Sequence, residues 1–233
     1  MNIPILFEDN HLLVIEKPVN IPVQEDRSGD QDLLTALKED LKKRYQKPGN
    51  VYLGLVHRLD RPVGGVMVFA KTSKAASRLS DQLRRQSIDR EYLAIVRGVP
   101  KKKQATLHHF LYKDRQRNQV FSVKQNHPEA KSAKLDYRVI ETYSESSLVN
   151  VRLHTGRSHQ IRVQLASEGF PLYGDQKYGS KVNQRGEQIA LWAHKLEFEH
   201  PVTKEIMQFV SKPPKVYPWE LWNDRNQVYK TYG

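Results

Sequence analysis

The stretch "VHRLDRPVGG", residues 56 to 65, places Asp60 two residues after Arg58 and just ahead of a proline and paired glycines. In an extended chain side chains alternate, so Arg58 and Asp60 project to one side while His57 and Leu59 face the other. A guanidinium and a carboxylate so placed can line one groove, and the carboxylate can attack an electron-poor carbon or stabilise positive charge. Aspartate before proline and glycine is also ordinary turn chemistry. A second constellation, "LHTGRSHQIR" at 153 to 162, offers Arg157, His159, Gln160 and Arg162 at the start of a short helix, where backbone N–H groups favour anions. By itself this is an anion-friendly helix terminus. A catalytic role requires Asp60 to meet one of these arginines in space, which spacing alone does not show.

The elements that must position these residues are readable from periodicity. "IPILFEDNHLLVIEKP" predicts two short strands around an Asp-Asn turn. In "DQDLLTALKEDLKKRYQ", Leu33, Leu37, Leu41 and Tyr45 recur every four residues, which predicts a helix with Asp30 as its N-cap and Pro48-Gly49 as its stop. "YLGLVHRLD" predicts a buried strand entering a loop, and "GGVMVFAKT" the strand leaving it. "SKAASRLSDQLRRQS" then carries Ala76, Leu79 and Leu83 on one helical stripe, with Ser73 as its cap. "REYLAIVRG" is strand-like, and beyond the lysine run at 101 to 103 follow β-type segments at "ATLHHFLY", "NQVFSV", "KSAKLDYRVIETY" and "SSLVNVRL". "RSHQIRVQLASEG" predicts a short helix, with Ile161 and Leu165 on one face, His159 and Arg162 on another, and Gly169 just past its end. Strands return at "IALWAHKLEFEH" and "EIMQFVS". The sum is an α+β fold, a mainly antiparallel mixed β-sheet core with flanking helices, read as one catalytic domain over residues 1–233.

Composition narrows the chemistry. The chain has 233 residues with 38% apolar content, enough for a real core. It contains no cysteine, which excludes disulfides, thiolate catalysis and cysteine-ligated zinc. The nine histidines lack the His-Glu-x-x-His spacing that puts two ligands on one helical face, so no metal is expected. No apolar run approaches the roughly 20 residues needed to cross a bilayer, and the start lacks the pattern of a signal peptide, so the expectation is a cytoplasmic protein with no membrane partner. A formal charge of +12 makes nucleic acid the leading class of partner. Lys17, Lys71, Lys74, Arg78 and the lysines at 101 to 103 are candidate phosphate contacts as a group, each alone a solvated surface charge.

"HRLDRPVGGVMVFAKT", "REYLAIVRG" and "LHTGRSHQIRVQLASEGFPLYGDQKYG", in that order and at these separations, resemble the three signature regions of the RluA-type family of RNA pseudouridine synthases. "IEKPVNIPVQ" resembles the family's N-terminal motif, and the similarity runs from about residue 5 to the "KPPKVYPWEL" tail. The resemblance implies a pseudouridine synthase-like catalytic domain that isomerises uridines in ribosomal or transfer RNA, without cofactor or metal. It implies that Asp60 is the catalytic aspartate, that Arg162 pairs with it, and that Tyr92 is the active-site tyrosine. Breaking an N-glycosidic bond develops positive character at the sugar. A carboxylate can stabilise that charge, bond to the anomeric carbon or remove a nearby sugar proton. The Tyr92 ring can stack on uracil and its hydroxyl can take part in proton transfer at C5. A stacked uridine is reached only by leaving the stack, at a cost of about a few kcal/mol, and Arg58 is by analogy the wedge that fills the gap. His57 is expected to be structural.

The chain departs from the family pattern at three places. Val63 and Gly64 stand where threonine and serine are usual, removing hydroxyls that would brace the loop. Asn20 stands where glycine is frequent, and Gln164 replaces a common histidine. The chain begins at the first catalytic motif, so no N-terminal S4-type RNA-binding domain is expected, and a monomer is the simplest expectation. A non-catalytic RNA-binding factor would have no use for a carboxylate facing phosphates, and a hydrolytic glycosidase would want a second carboxylate, for which no candidate is evident.

Overall fold

The computed structural model describes residues 1–26 and 28–223. The chain begins with β1 (Ile5–Glu8), β2 (Leu12–Lys17), α1 (Leu33–Arg44), β3 (Gly54–Leu55), β4 (Gly64–Ala70) and α2 (Ser73–Arg84). Next come β5 (Asp89–Arg97), β6 (Gln104–Asp114), β7 (Gln119–Val123), β8 (Lys131–Tyr143), β9 (Ser146–Leu153) and α3 (Gln160–Ser167). Finally come β10 (Leu191–Glu199), β11 (Ile206–Val210) and α4 (Glu220–Asn223). This is the α+β arrangement expected, with antiparallel pairing of β1 with β2, β2 and β3 with β4, β5 with β9, β6 with β7 and β8, β8 with β9, and β10 with β11. Contacts divide it into two compact units, residues 1–89 with 193–211, and residues 90–192 with 212 onward.

In the first unit the strand order is β1-β2-β4-β10-β11, with the two-residue β3 on β4. Leu12 and Val14 of β2 alternate with Leu13 and Ile15, and all four are fully buried, so this strand is covered on both faces. Leu12, Val14, Val66, Val68 and Ala70 form one cluster with Ala75 and Leu79 of α2 and with Leu196 and Phe198 of β10. The helix caps sit slightly off their expected places. Asp32 rather than Asp30 caps α1, accepting from the Thr35 N–H at 3.0 Å. The Asp30 carboxylate is taken by the Arg61 guanidinium instead. Thr72 rather than Ser73 caps α2. Leu33, Leu37 and Leu41 are buried as their spacing required, whereas Tyr45, at the C-cap of α1, is half exposed and bonds Glu8.

The second unit is a meander in the order β5-β9-β8-β6-β7. Helix α3 lies on it through Val163, which joins Leu111, Val120 and Ala133 in a small apolar cluster. His159 is not part of the helix: it occupies the N-cap position with φ of 50°. Gly169 follows α3 with φ of +88°, the left-handed conformation expected of a residue that ends a helix.

Gly65 is required for space and for conformation together. Its φ is +114°, and a Cβ there would lie 2.2 Å from the Ala193 carbonyl oxygen. Gly65→Ala is expected to cost about 3 kcal/mol or more in urea denaturation. Gly169→Ala, where a Cβ meets nothing within 4 Å, should cost only about 1 kcal/mol.

Candidate active site

Asp60 stands in the loop between β3 and β4, half-buried, with Leu59 buried and Arg58 exposed on either side of the chain's alternation. A turn closes behind it, the Val63 N–H donating to the Asp60 carbonyl at 2.9 Å. What fixes this turn is Lys17, the last residue of β2. It is fully buried, and its ammonium donates to the carbonyls of Pro18 (2.9 Å), Arg61 (3.0 Å) and Val63 (2.7 Å). An ammonium carries three donors and here each has an acceptor, which is how a lone lysine can be tolerated without water. Burial, opposed by Asp60 and reinforced by Arg61, pulls its pKa down from 10.5 to about 7. Lys17 is therefore not the surface phosphate contact its charge suggested. Lys71 is not either, since it is paired with Glu8 at 2.6 Å and mostly covered.

The outer side of the loop is held by Arg61, which bonds the Asn20 carbonyl at 3.2 Å, the Ser28 hydroxyl at 2.9 Å and Asp30. Asn20 itself sits at φ of 64°, a conformation asparagine tolerates in place of glycine. His57 Nε2 accepts from the Val68 N–H at 3.2 Å, a structural task. Arg58 bonds Gln24 at 3.3 Å, its one hydrogen bond among the described residues, and stays on the surface of its unit. The missing threonine and serine hydroxyls are thus not needed to brace this loop: Val63 is buried and its carbonyl is one of the three that Lys17 holds.

In the second unit Tyr92 lies on β5 opposite Val151 of β9 and is 7% exposed. Arg162, on the first turn of α3, is buried and forms a two-toothed pair with Asp175: Nε to Oδ2 at 2.8 Å and the Nη2 amine to Oδ1 at 2.9 Å. The Asp175 carboxylate is inaccessible and also accepts from the backbone N–H groups of Lys177 (2.9 Å) and Tyr178 (3.2 Å). The guanidinium carbon stands 5.2 Å from the Tyr178 ring centroid, a cation–π contact. Tyr178 is in turn fixed by the Val120 N–H at 2.9 Å and lies 2.6 Å from His159 Nδ1. Gln164, the replacement for histidine, is fully buried and its amide N–H group reaches the carbonyls of Leu107 and Ala133, tying α3 to β6 and β8.

Asp60 and Arg58 thus belong to the first unit, and Tyr92 and Arg162 to the second. Sequence inspection missed Lys17 as the anchor of the loop and Asp175 as the partner that orients Arg162. A signal for Asp175 was its place in "YGDQKYG", a turn inside the third signature region. Among the described residues no cluster of three or more histidines and carboxylates could hold a metal, and no helix is long and apolar enough to cross a membrane.

Two consequences are measurable. Asp175→Ala should lose about 3–5 kcal/mol in urea denaturation because it strands a buried guanidinium, while the double change of Asp175 to Leu and Arg162 to Met should cost clearly less. Lys17→Met should cost about 3 kcal/mol or more, since it orphans three carbonyls. Because the folded-state pKa of Lys17 lies below its unfolded value, the unfolded chain binds more protons between about 7 and 10.5. The Lys17 contribution to wild-type stability therefore rises with pH across that window, and the gap to Lys17→Met should widen as pH is raised.

A family model described as RNA pseudouridylate synthase matches residues 11–167. The uncharacterized RNA pseudouridine synthase YhcT of Bacillus subtilis is 36% identical over 222 residues, covering 94% of this chain and 70% of that protein. The ribosomal large subunit pseudouridine synthase D of Nitrosomonas europaea is 37% identical over 223 residues, covering 90% of this chain and 62% of that protein. Among solved structures, human RNA pseudouridylate synthase domain containing 4 superposes with a TM-score of 0.77 at 25% identity, over 94% of this chain and 91% of that one. With the family match spanning well over half of the sequence, the chain belongs to the RNA pseudouridylate synthase family and is an RNA pseudouridine synthase, an isomerase acting on RNA.

Proposed function

We propose that Asp60 starts the isomerisation, that Arg162 orients its carboxylate, that Tyr92 contacts the uracil, and that Arg58 fills the gap left when the target nucleotide leaves the stack. The observation that carries this reading is the three-carbonyl grip of Lys17 on the turn beside Asp60. A carboxylate whose backbone is pinned from beneath needs no reorganisation when charge develops in front of it. In the reaction the N1–C1′ bond breaks and a C5–C1′ bond forms. The proton at C5 is lost and N1 gains one, so mass is unchanged. The Tyr92 hydroxyl is suited to moving the C5 proton, and its ring to holding the base face.

Arg162 suits the orienting role because its fork can serve two partners at once. Its Nε and one amine are occupied by Asp175, which sets the plane of the guanidinium. The names of the relatives support ribosomal RNA of the large subunit as substrate ahead of transfer RNA. In this reading residues 1–233 act together as one catalytic domain, as a monomer in the cytosol, with no metal or cofactor taking part.

The test is conversion of a large-subunit rRNA transcript by purified protein, read by carbodiimide labelling and primer extension. Wild-type protein should form pseudouridine without releasing uracil, and Asp60→Ala should lower the rate about a thousandfold or more while still binding RNA. Conversion by Asp60→Ala at the wild-type rate would remove Asp60 from the mechanism.

A further inference from the structure

Lys17, Arg90 and Arg162 are the buried lysines and arginines among the described residues. Two of them are satisfied: Lys17 by three carbonyls and Arg162 by a carboxylate. Arg90 is not. It is 8% exposed, its Nε is enclosed without a hydrogen-bond partner, and its guanidinium forms no hydrogen bond or ion pair among the described residues. Two carboxylates of its own unit are bonded to other groups. Glu91 accepts from Asn150 at 2.9 Å, and Asp136 is held by Thr106 and His154 at 2.6 Å each.

The direction of the Arg90 side chain is given by Gly156. A Cβ at 156 would lie 2.9 Å from one terminal amine of Arg90 and 3.8 Å from its guanidinium carbon. Gly156 has no left-handed φ, so its backbone does not itself call for glycine, and the missing side chain leaves room for the cation to approach. Gly156 lies in the turn that ends at the N-cap of α3, and that N-cap, His159, supplies no side-chain hydrogen bond to the helix. The turn is rigid: the Gln160 side-chain oxygen accepts from the Thr155 hydroxyl (2.8 Å) and the Arg157 N–H (3.0 Å), and its amide donates to the Lys134 carbonyl (3.1 Å). Exposed Lys113 and Arg157 border it, the first bonded to Ser158 and the second to the Ser132 carbonyl.

We propose that Arg90, beneath the Thr155–Arg157 turn, is a binding residue for one phosphodiester group of the substrate RNA. A buried full charge calls for a full counter-charge, which the carbonyls of a uracil do not supply. The N-terminal end of α3 adds a field of the same sign. Tyr92 stands two residues along β5 from Arg90, so by strand alternation both side chains leave the same face. The site therefore serves the RNA backbone close to the base-contacting tyrosine. This rests on RNA being the substrate but not on the role assigned to Asp60.

The test uses the full chain and a fluorescein-labelled oligouridylate of 20 nucleotides, with binding followed by anisotropy across a salt series. Arg90→Met should weaken binding tenfold or more and lower the slope of log K against log salt by about 0.7, one phosphate contact on a single strand. Arg90→Lys should lie between it and wild type. Arg90→Met should also melt at or above the wild-type temperature, because an uncompensated buried charge has been removed; a purely structural arginine would do the reverse. Should Arg90→Met fail to fold, hydrogen exchange on wild-type protein decides the matter: oligouridylate should slow exchange at residues 154–160. A lower melting temperature with unchanged affinity and salt slope, absence of oligouridylate binding by wild type, or unaltered exchange in that turn overturns the proposal. Failure of Asp60→Ala to abolish conversion would leave all of these measurements standing.

Discussion

A lysine ammonium removed from water needs three acceptors, and the geometry around Lys17 follows from that demand. Strand β2 ends at Lys17, which is in register with Gly65 of β4, so the ammonium lies where the chain between β3 and β4 must return. The carbonyls of Arg61 and Val63 turn inward to meet it, and the Pro18 carbonyl completes the set. Once those two carbonyls are committed, the backbone around Asp60 has little freedom left. Gly65 then has to pass against the Ala193 backbone with no side chain, which sets the start of β4. The paired glycines that look like a flexible turn in sequence are therefore a tight passage, and the loop's rigidity comes from beneath it rather than from hydroxyls within it.

The second unit solves a related problem with a different cation. Arg162 must keep its guanidinium in one plane, and Asp175 holds it by two parallel hydrogen bonds while being held itself by two backbone N–H groups. A buried ion pair is poor evidence of stability, because desolvation offsets most of the attraction. Its value is orientation. Tyr178 extends the same logic by presenting its ring to the guanidinium and anchoring its hydroxyl near His159 and Val120. Against these two cations, each held by groups of its own unit, the Arg90 guanidinium stands out as one with no hydrogen bond or ion pair among the described residues.

Local patterns carried most of the secondary structure. Strands β2, β4, β8 and β9 and helices α1, α2 and α3 lie within the segments whose periodicity predicts them, and β5 starts one residue ahead of its segment, at Asp89. The misses are instructive in physical terms. Asp30 and Asp32 are equally good caps in a linear reading, and only the long-range demand of Arg61 for Asp30 separates them. Tyr45 matches the helical stripe, yet it falls at the C-cap, where the stripe has left the core. Arg58, Asp60, Tyr92 and Arg162 were singled out through the motifs, as residue types at positions that resemble the family's. Lys17, Asp175 and Arg90 were legible as letters in those same motifs but not in their tasks. Their partners are the Arg61 and Val63 carbonyls more than 40 residues away, a carboxylate 13 residues away, and in the third case no side chain among the described residues.

The choice between lysine and arginine at these positions can be argued from donor geometry. Three carbonyls converging on one atom match the three N–H bonds of an ammonium, and a planar guanidinium at position 17 would overfill a site that is wholly enclosed. At position 162 the partner is a flat carboxylate approached along two parallel lines, which an ammonium meets with only one bond at a time. Charge alone would make the two residues interchangeable. The directions of their hydrogen bonds do not, and each substitution would leave buried acceptors unfilled at the place where the site most needs a fixed backbone or a fixed plane.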